Sequence, residues 1–301
     1  MRPEPPWPVE PIVGPFSLAD RDRYARWRDA KLEAAPTRIE ELVVELADPR
    51  TLSEAEHAAL VDRCGRANMA LYASPTGGDA DTAIPVNLGR RFGLTHLDHN
   101  PGADDGGITA ITVVDSSGYI PYSNRPISWH TDGYYNRPDR QIRGLLLHCV
   151  EQSSDGGESG LIDHELLYIA MRDAHPEYVE ALMAPDAMTI PGNMEDPRVM
   201  RPDRSGPVFW VDPETGTLQM RYTARRRNIR WKEAPLVAEA VAWIRNQCET
   251  AAYCLHGMLQ PGWGLLCNNV LHDRTGFVDQ PDHRPRLLYR GRYYDRIAGT
   301  W

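Results

Sequence analysis

From Gly107 onward, Gly, Pro, Asp and Ser cut the chain into short β-type runs: "GITAITVVDSS", "RGLLLHCV", "ESGLID", "PVFWVDPETGTLQMRY", "GWGLLCNNVLHD" and "RLLYRGRYYD". Short runs of β-branched, aromatic and aliphatic residues, each closed by turn formers, argue for sheets of short strands. The segment "DPETGT" between two such runs has hairpin-turn chemistry. Two helical regions interrupt the series, in "HELLYIAMRDAHPEYVEALM" and "APLVAEAVAWIRNQCETA". With 25 prolines and 24 glycines in 301 residues, many turns and long connections are expected. The fold class read from this pattern is α+β, mainly β. Its core is expected to be a double-stranded β-helix (jelly roll), the commonest closed double-sheet form, with flanking helices.

The first hundred residues have a different texture. Six prolines in residues 1–16 make an extended arm. A helix is predicted over 18–34, with Asp20 as one candidate N-cap, and "IEELVVELADP" reads as a strand. "TLSEAEHAALVDRCGRANMALYA" reads as a helix opened by a Ser53–Glu56 capping box, and "NLGRRFGLTHLD" as another ending near Gly93. We read residues 1–301 as one domain, with 1–106 a helical and strand elaboration and 107–301 the β core.

A net charge of −9 argues against nucleic acid or a membrane surface as partner. No apolar run approaches the ~20 residues that span a bilayer, and the N-terminus lacks the apolar region of a signal peptide. Five cysteines without close CxxC spacing read as reduced thiols of a cytoplasmic protein. A small-molecule substrate is then the expected partner, and a homo-oligomer is left open.

In "RPISWHTDGYYN", His130 and Asp132 stand two apart, on one side of an extended strand. They form either a buried hydrogen-bonded pair or part of a metal site. A third ligand must come from a distant strand, and His272, between the strand-like "GWGLLCNNV" and the loop-like "DRTGF", is placed to supply it. Two imidazoles and a carboxylate form the facial set of non-haem Fe(II) oxygenases, although zinc sites use the same donors. "HRPRLLYRGRYYD" carries Arg286 and Arg290 four residues apart, so both guanidiniums would face one pocket on an extended strand. A guanidinium fork suits a dicarboxylate cosubstrate such as 2-oxoglutarate, which a zinc hydrolase does not need.

These motifs resemble the taurine dioxygenase (TauD/TfdA-like) family of Fe(II)/2-oxoglutarate-dependent oxygenases, which includes γ-butyrobetaine hydroxylase. "SWHTD" matches the first two iron ligands at His130 and Asp132, and "NNVLHDRTGF" matches the distal ligand at His272. "SDGGESGLID" resembles a loop whose hydroxyl residue, here Ser159, helps to hold the far carboxylate of 2-oxoglutarate. "RLLYR" matches a paired-arginine segment: Arg286 would bind that carboxylate, and Arg290 the substrate or the cosubstrate. The resemblance spans residues 107–296 with four motifs in order. It implies Fe(II), 2-oxoglutarate and O2 as cofactors, and hydroxylation of a C–H bond with release of succinate and CO2. Asp132 stands where related halogenases have a small residue, so halogenation is disfavoured, while desaturation and cyclisation share all these motifs. A zinc hydrolase and a non-catalytic sensor remain as rival readings.

Trp129, Tyr134, Tyr135 and Tyr122 are candidate substrate contacts, as a cage for a quaternary ammonium or as strand packing. The expected substrate is a small polar metabolite bearing a carboxylate, sulfonate or trimethylammonium group. His96 and His99 flank Asp98 as a rival metal pair, with surface polarity the simpler account, and His148 reads as a core histidine. The basic run holding Arg221, Arg225, Arg226, Arg227 and Arg230 reads as a solvated face.

Overall fold

The computed structural model describes residues 6–8, 14–99, 107–114, 120–193 and 200–300. Among them are six α-helices: α1 (Arg21–Ala34), α2 (Glu54–Ala67), α3 (Ala83–Arg91), α4 (His164–Ala174), α5 (Pro176–Leu182) and α6 (Pro235–Thr250). The first strands are β1 (Val43–Glu45), β2 (Met69–Ala73), β3 (Thr109–Ile111), β4 (Ile127–His130), β5 (Gly144–Glu151), β6 (Asp155–Gly156), β7 (Ser159–Ile162), β8 (Met188–Ile190) and β9 (Arg204–Gly206). They are followed by β10 (Phe209–Val211), β11 (Leu218–Met220), β12 (Arg230–Trp231), β13 (Leu255–Gly257), β14 (Gly264–Cys267), β15 (Leu271–Arg274), β16 (Phe277–Val278) and β17 (Leu287–Tyr293).

Two sheets face each other. The larger has the order β1-β2-β14-β5-β17-β3 and the smaller β13-β7-β15-β4. Between them, Met69, Leu71, Leu145, Leu265 and Cys267 of the larger sheet pack with Leu161 and Leu255 of the smaller. Helices α2 and α3 cover the outer face of the larger sheet through Leu60, Leu88 and Phe92. Helices α4 to α6 cover the outer face of the smaller one, where Ile162 and Leu271 meet Leu167, Val179 and Ile244. Alternation along each strand therefore sends one residue in two to the space between the sheets.

Local signals act where the sequence places them. Asp20 caps α1 by accepting from the Arg23 amide, and the Ser53–Glu56 box opens α2. "DPETGT" turns between the antiparallel β10 and β11. Four expectations change. The helix read through "NMALYA" stops at Ala67, because Asn68 turns left-handed (φ 56°), and β2 begins at once. β1 and β2 then supply two of the six strands of the larger sheet, so residue 107 is not where the β core begins. Met69–Tyr72 are buried on both faces and show no alternation, which hides a strand behind a helix. The helix expected in "HELLYIAMRDAHPEYVEALM" is broken at Pro176, which cannot donate back to a preceding turn. Only Val43–Glu45 of "IEELVVELADP" is strand.

Arg221 is no part of a solvated face. It is fully buried, and its guanidinium donates to the carbonyls of Tyr134 (2.7 Å), Met188 (2.9 Å), Gly206 (3.3 Å) and Arg204 (2.7 Å). Burial pushes its pKa down to about 9. Arg225, Arg226, Arg227 and Arg230 are exposed as expected. In the arm, Trp7 packs edge-on against Trp210 and donates to the Ser205 carbonyl, pinning the chain to β9 and β10.

A buried ion cluster joins α1 to α4: Lys31 lies 2.7 Å from Asp163 and 2.5 Å from Glu165. Burial opposes charge on Lys31, but attraction to the two carboxylates wins and its pKa is raised. Burial likewise raises the Glu165 carboxyl, but Lys31 outweighs it and the net shift is downward. The lowered acid contributes stability above its unfolded value, which is lost as pH falls through its folded value. The raised amine contributes below its unfolded value, which is lost as pH rises past its folded one. Lys31→Met should therefore destabilise by about 3–5 kcal/mol between roughly pH 5 and 10, with the two proteins converging in acid. Urea midpoints across that range check this, and parallel profiles into acid would exclude it.

Candidate active site

β15 and β4 are antiparallel neighbours, and His272 pairs directly opposite His130. His272 also sits opposite Leu161 of β7, a residue of the inter-sheet core, so both imidazoles project between the sheets. Their rings lie 4.3 Å apart, centre to centre. Each Nδ1 is 2.9 Å from a backbone carbonyl, Ser128 for His130 and Val270 for His272. A carbonyl only accepts, so each Nδ1 carries the hydrogen and each Nε2 keeps its lone pair for a ligand. Burial pushes His272 down to about 4, which keeps it neutral.

Asp132 follows at the end of β4, where Gly133 turns the chain at φ 68°. A side chain at Gly133 would strike Ile142. One Asp132 oxygen is 3.4 Å from His130 Nε2 and the other 3.3 Å from Arg290 Nη1. Burial alone would raise this carboxyl, but the Arg290 guanidinium, and Arg292 with it, hold it well below the usual range. Donor atoms of His130, Asp132 and His272 lie within 4.8 Å of one another, and no other group of three potential ligands does so among the described residues. His96 instead pairs with Asp295, and Asp98 with Arg292 and Tyr294. His148 is fully buried, 3.0 Å from the Tyr72 hydroxyl.

The double glycine of "SDGGES" turns at φ 68° and 83°, and a side chain at Gly157 would collide with Ser153. The turn delivers Ser159 to the first position of β7. Ser159, Ser153, Gly157, Leu288 and Arg286 line one small cavity. Arg286 is 5 % exposed, and its Nη1 has no hydrogen-bond partner among the described residues. An unpartnered buried donor is costly, and a ligand carboxylate would satisfy it. Arg290 does not join this cavity. Arg286 stands just before β17 and Arg290 within it, four residues or roughly 13 Å of extended chain further on, where Asp132 takes it up.

The aromatic residues divide. Trp129 alternates with His130 and turns to the opposite face of the smaller sheet, where its ring closes over Gly160. Tyr134 is buried in the helical core, its ring nearly perpendicular to that of His130 with the centres 6.5 Å apart. Tyr135 packs edge-on against Tyr134, and its hydroxyl accepts from Arg292 at 2.7 Å. Tyr122 is raised by burial and feels Arg290 and Arg292 most among its charged neighbours. Arg201 and Arg292 both lie over the Tyr135 ring. Two residues of the site escape sequence reasoning: Arg292, same-facing at two positions beyond Arg290, and Asn269, three before His272.

Two imidazoles and a carboxylate on neighbouring strands, in a protein that also buries a guanidinium whose Nη1 has no hydrogen-bond partner among the described residues, are the donor set that non-haem Fe(II) oxygenases use. Residues 70–292 match the family described as "Taurine catabolism dioxygenase TauD, TfdA family", and the chain belongs to that family. A uridine-5'-phosphate dioxygenase from Streptomyces sp is 27% identical over 199 residues, 62% of this chain and 69% of the relative. A trimethyllysine dioxygenase from Meyerozyma guilliermondii is 28% identical over 203 residues, 64% of this chain and 49% of the relative. The structure of an asparagine oxygenase with Fe(II), hydroxyasparagine and succinate superposes with a TM-score of 0.59 at 15% identity, covering 79% of this chain and 78% of the other. The protein is thus a non-haem iron dioxygenase whose cofactors are Fe(II), 2-oxoglutarate and O2. Among the described residues, no helix is long and apolar enough to cross a membrane.

Proposed function

We propose that His130, Asp132 and His272 hold Fe(II), that Arg286 and Ser159 hold the far carboxylate of 2-oxoglutarate, and that the enzyme hydroxylates a small anionic metabolite. The convergence of the three donors within 4.8 Å carries the reading. Bound there, iron and 2-oxoglutarate supply oxidation of a substrate C–H at the expense of decarboxylating the cosubstrate. The chain's own part is to fix both imidazole tautomers through Ser128 and Val270, to keep Asp132 ionised, and to bury the cosubstrate's charge on Arg286. The two facing sheets support a double-stranded β-helix core within one catalytic domain that takes in β1 and β2. No observation favours the zinc-hydrolase reading, which leaves Arg286 without a task.

The substrate side favours an anion over a trimethylammonium group. Among the described residues, Trp129 faces away and guanidiniums already lie over the Tyr135 ring, which weakens the case for an aromatic cage around a cation. Arg201, Arg290 and Arg292 collect there, which supports a carboxylate, sulfonate or phosphate on the substrate. Succinate release over a panel of small anionic and trimethylammonium compounds tests this. Stimulation by anionic members is expected, and stimulation confined to quaternary ammonium or large apolar compounds would overturn the substrate class.

A further inference from the structure

We infer that Asn269 is a positioning residue that sets Asp132 against the two histidines, an inference that rests on the triad being the metal site. Asn268 and Asn269 form the crossing from β14 in the larger sheet to β15 in the smaller. Asn269 is left-handed there (φ 49°), a conformation that asparagine tolerates better than most residues. Its side chain is 5 % exposed and turns back on the loop after β4.

The carboxamide grips the Asp132 backbone from both sides. The Asp132 amide donates to Oδ1 at 2.8 Å, and Nδ2 donates to the Asp132 carbonyl at 3.0 Å and to the Ile142 carbonyl at 2.8 Å. Both amide hydrogens are used, and an oxygen lone pair with them. The β15–β4 ladder ends at His130, so Asp132 has left the strand that would otherwise fix its backbone. Asn269 stands in for a strand partner there. Only Val270 and Leu271 separate it from His272, so one side chain ties the carboxylate ligand to the strand that carries the distal imidazole. Without it, the Asp132 amide and carbonyl and the Ile142 carbonyl are left buried and unsatisfied, and the loop moves to rehydrate them. The carboxylate then loses its register with the two Nε2 atoms.

The neighbour Asn268 is an internal control. It is buried in the same crossing, but its side chain bonds Asn68, Thr300 and the Ile297 amide, away from the triad. The test measures Mn(II) affinity of the full-length apo-protein by calorimetry, beside urea midpoints, for wild type, Asn269→Gly, Asn269→Asp, Asn268→Ala and His272→Ala. Glycine keeps the left-handed backbone and removes only the carboxamide. Aspartate keeps the acceptor for the Asp132 amide but loses both donors. We expect Asn269→Gly to weaken Mn(II) binding about 10- to 100-fold, the usual range for a group that orients a ligand, with Asn269→Asp between it and wild type. Asn268→Ala should lose stability with metal affinity within about threefold of wild type. Wild-type affinity in Asn269→Gly, or equal weakening in Asn268→Ala at equal loss of stability, overturns the inference. If Asn269→Gly does not fold, wild-type affinity in Asn269→Asp overturns it instead. Failure of the triad itself is distinct: His272→Ala would then bind Mn(II) as wild type does.

Discussion

Asp132→Ala is expected to abolish Fe(II)-dependent succinate release. The substitution removes the only anionic donor of the set and leaves Arg290, whose side chain is 11 % exposed, without its counter-charge. Two imidazoles remain, beside an uncompensated guanidinium that repels a divalent cation. Loss of metal affinity and loss of turnover should appear together, and anaerobic Fe(II) titration followed by a turnover assay measures both. Asp132→Glu keeps the charge but must lengthen into the space that Arg290 fills, so partial metal binding with little turnover is expected. Full turnover in Asp132→Ala would take the carboxylate out of the site.

Arg286→Ala should raise the KM for 2-oxoglutarate by about 10- to 100-fold, because a charge-assisted pair in a buried cavity is worth roughly 1.5–3 kcal/mol. The guanidinium is held in the cavity with no carboxylate of the protein within ion-pair reach among the described residues, and burial lowers its pKa from the ordinary value. The apo-protein has therefore accepted a cost that the cosubstrate offsets. Arg286→Met should leave apo stability unchanged or higher while losing the stabilisation that 2-oxoglutarate confers. Arg286→Lys, a single donor point without the fork, should recover only part of the affinity. An unchanged KM would take Arg286 out of the cosubstrate site.

What was legible without coordinates had local physics behind it. The Ser53–Glu56 box, the Asp20 cap and the "DPETGT" hairpin are short-range hydrogen-bond patterns, and each appears where the residues place it. Trp129 reads as a candidate substrate contact and faces the other way, although the alternation that puts His130 and Asp132 on one side already puts the residue between Ser128 and His130 on the other. The strand β2 was not legible, because a segment buried on both faces carries no period to read. Nor was the break at residue 175 distinguished from a continuous helix, although Pro176 carries that information by itself.

The sequence by itself determined which side chains could do the chemistry. An HxD pair, a distal histidine, a double-glycine turn and paired arginines occur in one order, because each type of group has few substitutes in its task. Only the tertiary structure decided which of them meet. Arg286 and Arg290 read as equivalents along the chain, yet one lines a cavity and the other pairs with Asp132. Arg221 reads as surface and lies at the centre of four carbonyls. Such partnerships depend on the register between elements distant along the chain, and on which charges that register leaves buried together, quantities that no local pattern encodes.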